Sequence, residues 1–234
     1  MNLSGPIADF GVILAAGGAG TRFGGRNKLL ALLDQRPVFT YALRRLAGWC
    51  GPDALVLVTP EAELDAFYQA ARRFCPEIAF QLVAGGATRS ESVTHGLAAL
   101  PETVRYVAIH DAARPFVTAA MVQGGLASAR QGDGAIVAHP VTDTLKRGSN
   151  DGMIEATVDR SALWAVETPQ IFPLDKLRHA YALAAGREFT DDGGVMEAAG
   201  YRVKLLSTTT PNLKITYAQD LLLAEALLHS GLVG

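Results

Sequence analysis

One stretch of the chain combines glycines and cations in a way that suits a polyphosphate. It reads Ala15-Ala16-Gly17-Gly18-Ala19-Gly20-Thr21-Arg22-Phe23-Gly24-Gly25-Arg26-Asn27-Lys28 and follows an apolar run ending at Leu14. Glycines at such a turn let backbone N–H groups come close to phosphate oxygens. Arg22 and Lys28 add two cations that can grip a triphosphate from two sides. The loop is not a Walker A motif, because Arg26 and Asn27 follow the glycines where Lys-Ser/Thr is required. It is not a G-x-G-x-x-G fingerprint either, because Thr21-Arg22-Phe23 follows Gly18-Ala19-Gly20. Taken alone, it reads almost as well as a tight turn with solvated charges.

A second cluster is His110-Asp111-Ala112-Ala113-Arg114-Pro115. Asp111 offers a carboxylate for Mg²⁺ or a substrate hydroxyl, and Arg114 a fork suited to phosphate. The plainer reading is an Asp–Arg pair closing a turn. His110 has no partner at ligand spacing and reads as a structural, hydrogen-bonded residue. Residues 85–93, Gly85-Gly86-Ala87-Thr88-Arg89-Ser90-Glu91-Ser92-Val93, enter a helix behind a Gly pair, which suits contact with a base or ribose. Arg89 and Ser92 read equally well as capping or supporting residues. Thr144, Arg160 and Lys214 are single polar residues that, one by one, read as surface. No Ser-His-Asp or Cys-His set is evident.

These residues need a scaffold, and the apolar pattern outlines one. Continuous apolar runs at 10–14, 54–59, 78–83, 104–109 and 134–138 read as buried strands, as in a parallel sheet covered on both faces. Helical patterns fall at 38–49, 61–74, 89–100, 119–130 and 174–185. The first two follow Pro37 and Pro60, which suit a helix's first turn. A last helix at 218–228 is apolar on most faces and reads as partly buried. The alternation predicts an α/β, Rossmann-like, doubly wound and mostly parallel sheet. The Gly-rich loop then falls at the carboxyl edge of the first strand, where open α/β sheets bind ligands. Residues 139–167 break the rhythm. Weak strands at 144–147 and 154–158 flank the turn-rich Gly148-Ser149-Asn150-Asp151-Gly152, which predicts a projecting β-arm.

Composition bounds the partners. The 234 residues, 49% hydrophobic, suit a single domain spanning 1–234 with its arm at 139–167. A net charge of −2 gives no basic excess for nucleic acid or an anionic membrane. No window approaches the ~18 apolar residues of a membrane span. Cys50 and Cys75 sit in no ligand-spaced cluster, so neither zinc nor a disulfide framework is expected. A reduced, cytoplasmic setting is the expectation.

In order along the chain come residues 15–28, 85–93, Asp111-Ala112-Ala113-Arg114-Pro115, Thr142-Asp143-Thr144 and Val158-Asp159-Arg160. Thr168-Pro169-Gln170, Phe189-Thr190-Asp191-Asp192 and Asn212-Leu213-Lys214-Ile215-Thr216 complete the series. Together they resemble the 2-C-methyl-D-erythritol 4-phosphate cytidylyltransferase family over nearly the whole chain. The resemblance implies cytidylyl transfer from CTP to the polyol phosphate, with Arg22, Lys28 and Lys214 as catalytic cations. CTP would lie on Leu14, Ala15, Ala16, Gly17, Gly18, Gly20 and Thr21. Gly85, Gly86, Arg89, Ser92, Asp111 and Ala112 would complete its pocket. Asp111, Arg114, Thr144, Arg160, Thr168 and Thr190 would hold the acceptor. Mg²⁺ would bridge the CTP phosphates, with Asp111 the protein carboxylate available to it. A homodimer through the arm is also implied, with Thr144 serving the partner's site. Asn27 and Leu29 depart from the family's Pro-Lys-Gln, and Ala87 stands where relatives often carry Asp. A sibling acting on ribitol 5-phosphate, a sugar-1-phosphate nucleotidyltransferase, a silent nucleotide sensor and a nicotinamide dehydrogenase are the competing readings. The last lacks the fingerprint's third glycine.

Overall fold

A computed structural model describes residues 5–17, 23 and 27–233. The chain runs β1 (Phe10–Ala15), β2 (Leu32–Leu33), β3 (Arg36–Pro37), α1 (Val38–Ala47), β4 (Leu55–Thr59), α2 (Leu64–Phe74), β5 (Gln81–Ala84), α3 (Arg89–Ala99) and β6 (Tyr106–Asp111). It continues with α4 (Ala119–Arg130), β7 (Gly134–Pro140), β8 (Leu145–Gly148), β9 (Ile154–Val158), β10 (Trp164–Pro173), α5 (Leu174–Leu183), α6 (Asp192–Ala198), β11 (Val203–Ser207) and α7 (Asp220–Ser230).

Seven strands form the central sheet in the order β11-β7-β10-β6-β1-β4-β5. β1 pairs in parallel with β4 and β6, β4 with β5, and β11 with β7. β10 alone runs antiparallel, between β6 and β7. The mostly parallel expectation therefore holds, with one reversed strand at the centre. β1 and β4 are buried nearly end to end, as continuous apolar runs require when helices cover both faces. The edge strands β5 and β11 are only partly buried.

The expected strands and helices recur with shifted ends. The run at 78–83 forms a strand only from Gln81, and 61–63 is a short 3-10 turn before α2. Five elements had no counterpart in the sequence reading: the two-residue strands β2 and β3, and β10, β11 and α6. β10 contains Pro169, which a regular central strand excludes. Its register shifts between Val166 and Gln170, so the proline sits in a bulge, and the Thr168–Pro169 bond is cis. α6 contains Gly193 and Gly194, poor helix formers. Its start is fixed by Asp191, whose side chain accepts from Gly194 N at 3.0 Å. α7 is partly buried, as expected: Ala224 is buried and Leu221, Leu227 and Leu228 pack against the core, while Leu222 and Leu223 stand exposed. β8 and β9 form a separate two-stranded sheet, the expected arm, with Met153 and Ile154 exposed near its tip. Its roots, residues 139–140 and 164–166, pair within the central sheet.

Candidate active site

β1, β4, β5 and β6 are mutually parallel, so their carboxyl ends share one edge of the sheet. A cleft of about 640 Å³ opens there. Ala15 and Gly17 form its floor at the end of β1. Gly85, Gly86, Arg89 and Ser92 come from the turn into α3, and Asp111 and Arg114 from the loop after β6. Thr168, Thr190 and Lys214 close the far side. A smaller pocket of about 360 Å³ adjoins it, sharing Ala15, Gly17, Asp111 and Lys214 and adding Lys28. The structure thus brings together Lys28 and Lys214, which are 186 positions apart in sequence (214 − 28). Arg22, Gly18, Gly20 and Thr21 lie outside the described residues.

The turn into α3 is built by a reciprocal cap. Glu91 N donates to Thr88 Oγ1 at 3.1 Å, and Glu91 Oε2 accepts from Ala87 N at 2.6 Å and Thr88 N at 3.1 Å. That fold-back explains Gly86: a Cβ there would lie 2.3 Å from Glu91 Cβ. Ser92 is tied down as well, with its Oγ accepting from Gly86 N and donating to Thr88 O. Asn27, one of the departures from the family pattern, anchors the turn that carries Lys28. Its amide donates to Glu63 at 2.5 Å, and its oxygen accepts from Leu29 N at 2.9 Å.

Arg89 meets Asp192 at 2.5 Å, and Tyr181 donates to the other Asp192 oxygen at 2.6 Å. Asp192 is fully buried. Burial, the largest single influence, would lower the Arg89 pKa, but the Asp192 charge and hydrogen bond, with smaller help from Asp111 and Tyr181, together outweigh it and hold the guanidinium above its ordinary value. Burial, then the same carboxylate, push the Tyr181 phenol up. Gln170 joins this network: its carbonyl accepts from Asp192 N and Gly193 N, and its amide donates to Asp191 at 2.9 Å.

On the opposite wall, Lys214 donates to Asp111 at 2.6 Å. Burial raises the Asp111 pKa, but Lys214, Arg89 and Arg114 more than offset it, leaving the carboxyl below its ordinary range. Arg114 sits 3.9 Å from Asp111 and 3.8 Å from Glu167, and donates to Asn212 O at 2.7 Å. Thr168 Oγ1 accepts from Asp111 N at 3.0 Å. His110 is structural, as expected. It is fully buried, its Nε2 bonds Arg114 O at 3.0 Å, and burial lowers its pKa to about 4.

Five assigned residues stand away from the cleft walls. Leu14, Ala16 and Ala112 are fully buried and line neither pocket, so they are the floor beneath the site. Ala16 N and Ala112 N are spent on Val58 O and Ala15 O. Thr144 and Arg160 are exposed on the arm and line neither pocket of their own chain. Conversely, Glu167, Gln170, Asp192 and Asn212 shape the site without having been assigned a role. The last three lie inside quoted motifs, but no spacing signals what they touch.

Among the described residues, no group of three or more His, Cys, Asp or Glu could hold a metal ion, and no helix is long and apolar enough to cross a membrane. Cys50 and Cys75 are free and buried; burial pushes the Cys50 thiol up to about 12.

A cleft at the carboxyl edge of a mostly parallel sheet, walled by a glycine turn and converging cations, defines a nucleotide-dependent transferase of the α/β type. A family profile described as 2-C-methyl-D-erythritol 4-phosphate cytidylyltransferase matches residues 10–230. The enzyme of that name from Rhodopirellula baltica is 39% identical, over 95% of this chain and 96% of its own. The one from Bacillus velezensis is 37% identical, over 95% and 97%. The crystal structure of the Thermus thermophilus enzyme superposes with a TM-score of 0.77 at 31% identity, covering 94% of this chain and 98% of that one. That of 4-diphosphocytidyl-2C-methyl-D-erythritol synthase from Anaerococcus prevotii gives 0.78 at 25% identity, covering 95% and 99%. The chain belongs to the 2-C-methyl-D-erythritol 4-phosphate cytidylyltransferase family and is a nucleotidyltransferase.

Proposed function

We propose that the chain transfers the cytidylyl group of CTP to 2-C-methyl-D-erythritol 4-phosphate. The products are 4-diphosphocytidyl-2-C-methyl-D-erythritol and pyrophosphate, in non-mevalonate isoprenoid precursor synthesis. The observation that carries this reading is the junction of the two pockets, where Asp111 and Lys214 stand between Lys28 on one side and Arg114 on the other.

The acceptor phosphate has a second pKa near 6, so it is already a dianion at neutral pH and needs no general base. One of its oxygens bonds to the α-phosphorus of CTP as the bond to the β-phosphate bridging oxygen breaks. Pyrophosphate leaves with that electron pair, and no proton moves. The obstacle is repulsion between two anions, which positioned cations relieve. Lys28, Lys214 and Arg22 serve the triphosphate. Ala15, Gly17, Gly85, Gly86, Arg89 and Ser92 seat the nucleoside. Asp111, Arg114, Thr168 and Thr190 take the acceptor.

Mg²⁺ fits this donor set, since it is usually held by one or two carboxylates together with substrate phosphates. Among the described residues, Asp111 is the one carboxylate shared by both pockets. When bound, the ion would neutralise charge on the phosphates.

A homodimer follows from the arm. A lone two-stranded hairpin is marginal in water, yet this one carries exposed Met153 and Ile154, and α7 presents Leu222 and Leu223. A second copy would cover such surfaces and bring its Thr144 and Arg160 to this chain's cleft. Two free, buried cysteines suit the reducing cytoplasm.

Pyrophosphate release with CTP, Mg²⁺ and either methylerythritol phosphate or ribitol 5-phosphate tests the reading. Turnover of the first is expected; turnover of ribitol 5-phosphate alone would overturn it. Lys214→Met should lower kcat by roughly 10²–10³, the loss typical of one charge-stabilising donor. An unchanged kcat would remove Lys214 from the chemistry.

A further inference from the structure

Glu167 stands on the bulge of β10, only 8% exposed, and borders both the cleft and a second groove of about 680 Å³ beside α7. Its Oε2 accepts from Asn212 Nδ2 at 2.7 Å and lies 3.8 Å from Arg114 Nη1; its Oε1 bonds His139 Nδ1 at 2.8 Å. Asn212 Nδ2 also donates to Thr168 O at 2.8 Å, and Asn212 O accepts from Arg114 Nη1 at 2.7 Å. Three segments distant in sequence, the β10 bulge, the loop after β6 and the segment carrying Lys214, are therefore joined through one carboxylate and one amide. Backbone pairing of Ile215 N with Ala113 O at 2.9 Å reinforces the join.

A buried carboxylate is a poor device for stability alone, because an apolar replacement is often as stable. Here its geometry has a use. With its amide fixed by Glu167, Asn212 presents its backbone carbonyl to one edge of the Arg114 guanidinium. Arg114 Nε has no hydrogen-bond partner among the described residues, although it is buried. Nε faces Asp111 at 3.9 Å, so the guanidinium is held at one edge by Asn212 O, between the Asp111 and Glu167 carboxylates, on the wall of the cleft, where a fork of this kind suits an anion.

We propose that Glu167 is a positioning residue: acting through Asn212, it holds Arg114 and the 211–215 segment in the geometry that binds the acceptor's phosphate. The acceptor half of this inference rests on the function proposed above; the positioning half does not. Glu167 touches neither substrate. It sets the aim of the group that does, and misaim of a binding group by a fraction of an ångström is costly.

The test uses Glu167→Ala and Glu167→Gln in the full-length protein, with two readouts. In hydrogen exchange without substrate, segment 208–216 of the Ala variant should exchange about tenfold faster, with the α1–β5 half unchanged. In steady-state kinetics, its KM for methylerythritol phosphate should rise about tenfold or more, the loss expected for a hydrogen bond to a charged group. Its CTP KM should move less than about threefold. The Gln variant keeps an oxygen for Asn212 and should recover most of both effects. Unchanged exchange at 208–216, a Gln variant no better than Ala, or equal rises in both KM values would overturn the proposal. A wild type that never turns over methylerythritol phosphate would instead overturn the functional reading, leaving exchange to decide on Glu167.

Discussion

Acidification should weaken this fold well before its carboxylates protonate, and His110 is the reason. Its ring is fully buried, its Nε2 is committed to Arg114 O, and its Nδ1 has no partner among the described residues. Protonation would place a charge and an unsatisfied N–H inside the sheet. Burial accordingly lowers its pKa from 6.5 to about 4. The unfolded chain takes up the proton below pH 6.5 while the native state refuses it, so stability falls as pH drops from 6.5 towards 4. The full difference corresponds to about 3 kcal/mol, most of it lost by pH 4.5. Asp111 acts in the same direction but later. Its native pKa is below the ordinary value, so its contribution persists above that value and is lost as pH falls through the native one. The assay is urea unfolding of wild type and His110→Gln at pH 7.5 and 4.5, at one protein concentration. Gln places its amide near the Nε2 position and does not titrate, and every other group is common to both proteins. Wild type should lose about 2–3 kcal/mol more than the variant across that interval. Losses that agree within about 0.5 kcal/mol, the effect of a neutral surface change, would refute the reasoning.

Two further outcomes follow from the site and the arm. Asp192→Asn removes the charge opposite Arg89 and one acceptor from a buried network; breaking such a pair costs about 3 kcal/mol, or a Tm drop of roughly 6–12 °C in a chain of this size. A calorimetric shift under about 2 °C would show that the pair is not holding the cleft wall. Deleting residues 144–158 removes both arm strands and should give monomers in sedimentation, whereas a surviving dimer would place the interface elsewhere.

The sequence makes the cleft's floor and turns legible because each loop follows an apolar run that only a buried strand explains. Asp111 and Arg114 could be placed at the end of β6 for that reason alone. The helix entry at 85–93 was legible too, since a Gly pair precedes a helical pattern, but the sequence points to capping at Arg89 and Ser92, whereas Thr88 and Glu91 make the box. β10 was hidden because its centre carries Glu167, Thr168 and Pro169, a polar bulge in place of an apolar run. The supporting carboxylates were hidden for another reason. Asp192 acquires its meaning from Arg89, 103 positions away, and Glu167 from Asn212, 45 positions away. No local pattern encodes such pairs. Thr144 and Arg160 stand exposed on the arm, and the periodicity of one chain does not say what they meet.

The reversed strand β10 also dictates when the protein can become itself. It is made after both strands it separates, yet without it β6 and β7 have no common neighbour. As the chain emerges during synthesis, the β5-β4-β1-β6 half can assemble early, but its β6 edge stays open until residues 164–173 arrive. Open parallel edges invite pairing with other chains, and long-range closures of this kind slow folding. The interval between making β6 and seating β10 is therefore the stretch in which a nascent chain most needs shielding. Lys214 comes later still, so no shorter amino-terminal fragment carries the whole site.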